Sequence, residues 1–354
     1  MQKKLLDLYS DYLISQNQYA TSTGLAKMLE GHISHDKITR FLNSNNFDSR
    51  ELWNYVKPEI RKIEENKGGI LILDDTIEEK PHTDENEIIT WHYSHSKGQC
   101  VKGINILSCM VRYDDKALPL DYRIIFKDLY FSDVKTRKIK RQSSVTKNDL
   151  FRDILKKARL HQVKFEYILA DNWFGAKGNM DFIHYELKSK FIFGLKSNRL
   201  VKLKDTKGPH QKLSSLKLQD GESIQVFLKN SSFPVQLTKK IFKNEDKSTG
   251  ILFLVTNDLS IDADRIYEVY KKRWRIEEFH KSIKQNASLC KSPTKVIRSQ
   301  KNHIFASIIA FCKLEFLKWK TNLNHFALKY KLLVAANKKA FSELQKLQKS
   351  ATSA

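Results

Sequence analysis

The chain has 354 residues, 41% of them hydrophobic and 29% charged, which is the make-up of a folded globular protein with more than one small core. Lysine and arginine number 63 against 40 acids, a net charge of +23 spread along most of the length, and a field of that size points to a polyanionic partner, nucleic acid first. The four cysteines, Cys100, Cys109, Cys290 and Cys312, lack metal-pair or disulfide-framework spacing, and no apolar run is long enough to span a bilayer, so a cystine-stapled or membrane-spanning protein is excluded.

The opening MQKKLLDLYSDYLISQ mixes charge into its apolar positions and does not read as a signal peptide, so a cytoplasmic location is expected. Residues 1–65 read as a helical DNA-binding region: Leu5, Leu8, Tyr12 and Leu13 recur at helical spacing. In TGLAKMLEGHISHDKITRFLNSN a short helix with Leu25 and Leu29 meets a turn at Gly31, and Ser34 is placed to cap a second helix carrying Ile38, Phe41 and Leu42. That is the outline of a helix-turn-helix with His35, Lys37, Arg40 and Asn43 facing a groove; a plain helical hairpin is the alternative.

From Gly68 the texture changes. GGILILDD reads as a doubly buried strand ending in acids near Asp75, followed by strands GINILSCMVRY and LPLDYRIIF. A basic loop, VKTRKIKRQSS, has Lys135, Arg137, Lys138, Lys140 and Arg141 to follow a DNA backbone or to remain solvated. Thr146 and Asp149 then stand at capping-box spacing before a helix with Leu150, Ile154 and Leu155 on its apolar face. KFEYILAD is a second short strand ending in an acid, Asp171; a helix around 177–188 and the strand FIFGLK follow.

Residues 198–262 are polar and lysine-rich with alternating stretches, a β-rich insertion, and from Asp262 the chain turns helical. The expected class is α/β (α+β): a ribonuclease H-like catalytic core over 66–197 and 263–320, the β insertion over 198–262, and a helical tail over 321–354. A doubly wound dinucleotide fold lacks the glycine-rich phosphate loop after its first strand.

Asp75 and Asp171, each at a strand end, would meet at one sheet edge and form part of a hard oxygen site for Mg²⁺ or Mn²⁺; aspartates after strands also serve simply to start turns. YKKRWRIEEFHKSIK supplies a third acid. Read as one helix, Tyr270, Arg273, Glu277 and Lys284 fall at about 0°, 300°, 340° and 320°, while Val269, Ile276, Phe279 and Ile283 gather on a face for the sheet. Glu278 points away; a solvated i,i+4 charge ladder is the competing reading of the helix. His92 and His95 lack further ligand partners, and Trp173 is placed either to stack on DNA or to fill the core.

Y-x₂-R-x₃-E-x₆-K at Tyr270, Arg273, Glu277 and Lys284 resembles the signature of the DDE transposases of bacterial insertion sequences that carry this Tyr-Arg-Glu-Lys motif. RWRIEEFHK, LDDT (73–76), LADNWF (169–174) and WHYSHSKGQCVKGIN (91–105) are similar to other parts of that family, and together they cover about residues 35–320. The resemblance implies cut-and-paste transposition: Asp75, Asp171 and Glu277 as catalytic ligands of two Mg²⁺ ions, Mn²⁺ substituting, with Tyr270, Arg273 and Lys284 on DNA phosphates. It also implies double-stranded DNA as partner, both terminal inverted repeats and target, a homodimer on paired ends, and a bacterial cytoplasm with nucleoid association. Lys37 and Arg40 would add DNA contacts from the helix-turn-helix. In relatives that form a DNA hairpin, a tryptophan on the inserted β-region stacks a flipped base; GILFLVTN has no tryptophan and Phe253 as its one aromatic, so the hairpin step stays open. A metal-dependent nuclease without strand transfer, and a transposase-derived DNA-binding protein that no longer cuts, are the alternatives.

Overall fold

The computed structural model describes residues 2–64, 68–134, 136–204, 208–243 and 247–352. Four helices come first: α1 (Gln2–Ser15), α2 (Ser22–Met28), α3 (His35–Ser44) and α4 (Ser49–Ile63). Strands β1 (Gly69–Glu79), β2 (Thr90–Ser94), β3 (Gln99–Tyr113), β4 (Lys116–Ile124), β5 (Leu129–Ser132) and β6 (Ile139–Gln142) precede α5 (Lys147–Leu160). Next are β7 (Phe165–Ala170), α6 (Lys177–Asp181) with a π-helical turn at Phe182–Glu186, and β8 (Lys190–Leu195). The strands β9 (Leu200–Leu203), β10 (Gln211–Lys212), β11 (Ser223–Leu228), β12 (Val235–Lys243) and β13 (Thr249–Thr256) follow, and α7 (Ala263–Lys271), α8 (Trp274–Gln285), α9 (Ile297–Thr321) and α10 (His325–Thr352) end the chain. These form two compact units, Met1–Asn54 with Glu278–Ala354, and Tyr55–Glu277.

In the first unit, Leu5, Tyr9, Tyr12 and Leu13 turn one face of α1 onto Ala306, Ala310 and Leu314 of α9, and Ile38, Phe41 and Leu42 of α3 join the same core. The Tyr9 hydroxyl and His303 Nδ1 share a hydrogen bond of 2.9 Å, which satisfies two buried polar groups inside that core. Thr21 caps α2 and Ser34 caps α3, its hydroxyl accepting from Lys37 N, while Gly31 takes the left-handed conformation (φ +79°) the intervening turn needs. Of the residues expected to face a groove, His35, Lys37 and Arg40 are exposed on α3. Asn43 departs from that expectation. Its side chain accepts from the Ser299 hydroxyl and its carbonyl accepts from Arg298 (3.5 Å), so it serves the packing of α3 on α9.

In the second unit a single sheet runs β10-β9-β11-β12-β13-β8-β7-β1-β3-β2, with β4 also paired to β3. Along its core, β4, β3 and β1 alternate in direction, and β7 and β8 run parallel to β1. Five strands in the order 3-2-1-4-5, the second antiparallel and the last two reached by helical crossovers, constitute the ribonuclease H-like arrangement. The β insertion does not form a separate layer: β13 pairs antiparallel with β8 (Leu254↔Gly194), so β9–β13 extend the core sheet beyond its last parallel strand. No helix among the described residues is long and apolar enough to cross a membrane.

Two local departures from the sequence reading matter for the site. β1 does not stop at its aspartates; its pairing with β3 continues to Glu79↔Gly103, whereas its pairing with β7 ends at Leu73↔Ala170. The antiparallel ladder thus carries Asp74 and Asp75 past the point where the parallel ladder opens. The second departure is a break between α7 and α8. Lys272 and Arg273 bond back to Val269 and Tyr270, three residues away, and Arg275 and Ile276 do the same to Lys272 and Arg273, so a tight turn replaces the α ladder. The 100° phase therefore fails between Tyr270 and Glu277. Val269 and Ile276 are buried in the sheet unit, whereas Phe279 packs its ring edge-on against Phe311 of α9 at 4.7 Å.

The capping box of α5 forms as the spacing predicts, with Thr146 and Asp149 each serving the other's backbone N–H. Phe151, which stacks on Phe174 at 5.0 Å, takes the buried position expected of Leu150. Close approach of strands also dictates a residue: a Cβ on Gly103 would lie 2.2 Å from the Glu78 carbonyl oxygen. Gly103→Ala is accordingly expected to destabilise by about 2 kcal/mol or more, read as a lowered thermal midpoint. An unchanged midpoint would show that β1 and β3 can separate locally at no cost.

Candidate active site

The opening of the parallel ladder sets out the acids. Because Leu73 pairs with Ala170, the next residues, Asp74 and Asp171, stand side by side on neighbouring strands and on the same face of the sheet. Successive residues of a strand point to opposite faces, so Asp75 looks the other way.

On the Asp74 face, Arg273 is the hub. Its Nη1 lies 3.3 Å from Asp74 Oδ2 and its Nη2 donates to Glu277 Oε1 at 2.8 Å, one guanidinium bridging an acid of β1 and an acid of α8. The guanidinium also sits 5.6 Å from the Tyr270 ring centre. Tyr270 is buried, and its hydroxyl lies against Gly194, where an added Cβ would come within 3.3 Å of it. Burial pushes the Tyr270 hydroxyl up to about 12, with Asp171 and Asp74 adding to the rise and Arg273 opposing it.

On the other face, Asp75 accepts from Asn105 Nδ2 at 2.6 Å and pairs with Lys147 Nζ at 3.0 Å. Lys147 opens α5 and stands 4.2 Å above the Trp173 ring, so the residue two after Asp171 covers the cation that holds Asp75. Asp171 itself accepts from the backbone N–H groups of Trp173 (3.0 Å) and Phe174 (3.4 Å), an Asx turn that fixes its carboxylate.

The field of the cluster is visible in its proton affinities. Desolvation, helped by the Asp171 and Asp75 charges and opposed by Arg273, raises Asp74 to about 7. Asp171 is raised as well, chiefly by burial; its two backbone donors and Arg273 oppose the rise, and the Asp75 charge adds to it. These carboxylates crowd one another in a partly dry place, a state that calls for positive charge.

Among the described residues no three Asp, Glu, His or Cys side chains converge closely enough to hold a metal ion as they stand. The chemistry of the donors nonetheless fits a hard divalent cation, since Asp74, Asp75, Asp171 and Glu277 offer only oxygen. Arg273 already places a positive group between Asp74 and Glu277, where electrostatics demands one.

Of the residues expected at the site, Asp171, Tyr270, Arg273 and Glu277 come together; Asp75 lies one residue along β1 from the shared face, beside Lys147. Lys284 is half-buried on the part of α8 that belongs to the helical unit. Lys37 and Arg40 are exposed in that same unit. Asp74 and Lys147 were not singled out from the sequence. A signal for Asp74 existed: setting GILILD against FEYILAD ends both runs on an acid, which is the register the parallel pair adopts.

The weaker candidates resolve into structural roles. Phe253 is buried in β13, and His95 packs edge-on against Tyr93 at 5.0 Å. His92 is buried with its Nε2 2.9 Å from the Thr90 hydroxyl. Burial, then the Lys127 and Lys147 charges, lowers His92 to about 3. The unfolded chain takes up a proton near pH 6.5 while the folded chain does not, so stability is present above that pH and is lost as pH falls towards 3. His92→Gln should remove a part of the acid destabilisation on the order of 1.4 kcal/mol per pH unit across that window, measured by denaturant unfolding between pH 7 and 4. Parallel wild-type and variant curves would exclude this role.

Residues 1–218 match the family model described as DDE superfamily endonuclease. The chain belongs to that family. The match covers β1 and β7 with Asp74, Asp75 and Asp171, and ends before Tyr270, Arg273, Glu277 and Lys284. None of the curated proteins matches. Among solved structures the chain is similar to the Drosophila P element transposase strand transfer complex, with 12% identity over 48% of this chain and 43% of that chain and a TM-score of 0.15. The chain thus spans less than half the length of that structure's chain.

Proposed function

We propose that this DDE family member is a transposase, of the bacterial insertion-sequence kind with the Tyr-Arg-Glu-Lys signature, that cuts double-stranded DNA at transposon ends and joins them to target DNA. The observation that carries the reading is the meeting of acids from β1, β7 and α8 around Arg273, at the point where the parallel ladder opens. The net charge of +23 supports a DNA partner, and a homodimer on paired ends follows from the resemblance.

Asp171, Glu277 and one acid of the Asp74–Asp75 pair are proposed to hold two Mg²⁺ ions, for which Mn²⁺ substitutes. The first place had been expected of Asp75; register and the Arg273 bridge favour Asp74 for it, with Asp75 supporting from the opposite face. Bound metal would activate the attacking oxygen and stabilise the leaving oxygen of a phosphodiester. Lys147 pairs with Asp75, the Trp173 and Phe174 N–H groups orient Asp171, and Arg273 balances the acids while offering its remaining donors to phosphate. Tyr270 is proposed to border the phosphate at the cut, and Lys284, Lys37 and Arg40 to contact DNA phosphates from the helical unit.

Supercoiled plasmid carrying the element's ends should be nicked with Mg²⁺ or Mn²⁺ and left intact with EDTA, and the freed 3′-ends should join to target. Specific end binding with no nicking in either metal would assign the chain a binding role alone. Nicking without joining would leave a nuclease.

A further inference from the structure

The connection between β4 and α5, expected as a loop, is a two-stranded ribbon, and we propose that it is a docking arm for duplex DNA at the edge of the acid site. The inference rests on the DNA-cutting reading above. Among the described residues β5 and β6 pair only with each other, Leu129↔Gln142, Tyr130↔Arg141, Phe131↔Lys140 and Ser132↔Ile139. Such a ribbon has no core beneath it, and its large apolar side chains stand in solvent: Tyr130 is 62% exposed, Ile139 76% and Val134 94%.

A lone two-stranded hairpin is marginal, yet this one is pinned at both ends. At its base Asp128 accepts from the backbone N–H and hydroxyl of Ser144 (2.8 and 2.6 Å), and the Ser143 hydroxyl donates to the Phe126 carbonyl. At its tip Asp133 accepts from Thr136 N (2.7 Å) and pairs with Lys140 (2.7 Å). Residues 127–142 contain six lysines or arginines and two aspartates, and both aspartates are spent on these internal bonds. Arg137 and Lys138 are exposed near the tip; Lys135 lies outside the described residues.

Cross-strand register sets a cation opposite each aromatic. Arg141 stacks 4.3 Å from the Tyr130 ring centre, and Lys140 stands opposite Phe131 on the other face. Both faces are therefore mixed apolar and cationic. A protein-docking face would gather its apolar groups on one side with charge at the rim. A DNA groove matches the mixed pattern: a β-ribbon fits the major groove, cations reach phosphates on either side, and apolar groups meet thymine methyls or open a base step. Position agrees. β4 leaves the sheet at Ile124, level with Ile106 and hence with Thr76 of β1, and the ribbon returns to α5, whose Lys147 holds Asp75.

The test is fluorescence anisotropy of the full chain with a labelled duplex across a salt series, beside plasmid nicking. Arg137→Gln and Lys138→Gln together should weaken binding at least about fivefold and reduce the log–log salt slope by about 2. Tyr130→Ser with Phe131→Ser should weaken binding with the slope unchanged. Replacing Leu129–Gln142 by a short Gly-Ser link gives the same reading if either set misfolds. Wild-type affinity and slope in folded variants overturn the arm, and so does a shift from dimer to monomer at unchanged DNA affinity, which would make the ribbon a contact between copies. If wild type neither binds duplex nor nicks, the DNA-cutting reading fails first; if it does both and the variants match it, the arm alone fails.

Discussion

Asp171→Asn is expected to reduce plasmid nicking by about 10³-fold or more while duplex affinity stays within about twofold. The substitution is isosteric, so the Asx turn to Trp173 and Phe174 survives in outline and the loss reports charge. Glu277→Gln should fall as far, because Glu277 is the α8 carboxylate that Arg273 ties to β1. Glu278→Gln is the internal control: Glu278 is exposed on the adjacent position of the helix and should leave nicking near wild type. Should Glu278→Gln be as inactive as Glu277→Gln, the assignment of the α8 acid is wrong. Nicking that survives Asp171→Asn would remove the β7 acid from the site altogether.

Asp74→Asn and Asp75→Asn are expected to separate. Asp74 is aligned with Asp171 and bridged through Arg273 to Glu277, so its loss should be as severe as that of Asp171. Asp75 meets Lys147 and Asn105 on the opposite face, and its loss should reduce nicking only about tenfold, by leaving Lys147 and Asn105 without their shared acceptor. Single-turnover nicking at saturating Mg²⁺ measures both variants, with circular dichroism to confirm that each is folded. The reverse order of severity would return the first acid to Asp75 and mean that the strand turns its other face to the DNA. Apparent metal affinity from the Mg²⁺ dependence adds a second readout, because a lost ligand weakens metal binding and a lost neighbour of Lys147 does not.

Much of this is legible in the sequence. Apolar runs such as GILILD and FEYILA are too short and too continuous for surface helices, so doubly buried strands follow from them directly. Thr146 and Asp149, and Ser34 with Lys37, are capping pairs whose partners lie within one turn, and local bonds of that kind are written in local sequence. The acids of the second strand and of the basic helix could be picked out by type and place. The choice between Asp74 and Asp75 could not, since a one-residue difference in a strand is a difference of face, and face is decided by register with β7. The break after Lys271 was equally hidden, because Lys272 and Arg273 carry no glycine or proline to mark it.

By itself, then, the sequence determined the strands and helices, the basic character and the residue types a DNA-cutting site needs, because propensity, periodicity and charge are properties of short segments. Only the tertiary structure decided that β9–β13 prolong the core sheet, that Asp74 stands beside Asp171, that one arginine gathers acids from β1 and α8, and that a basic stretch is a ribbon with two exposed faces. Each of these depends on which strand pairs with which and at what offset. Pairings between residues up to about two hundred positions apart are settled by the folded sheet as a whole and by no window of the chain.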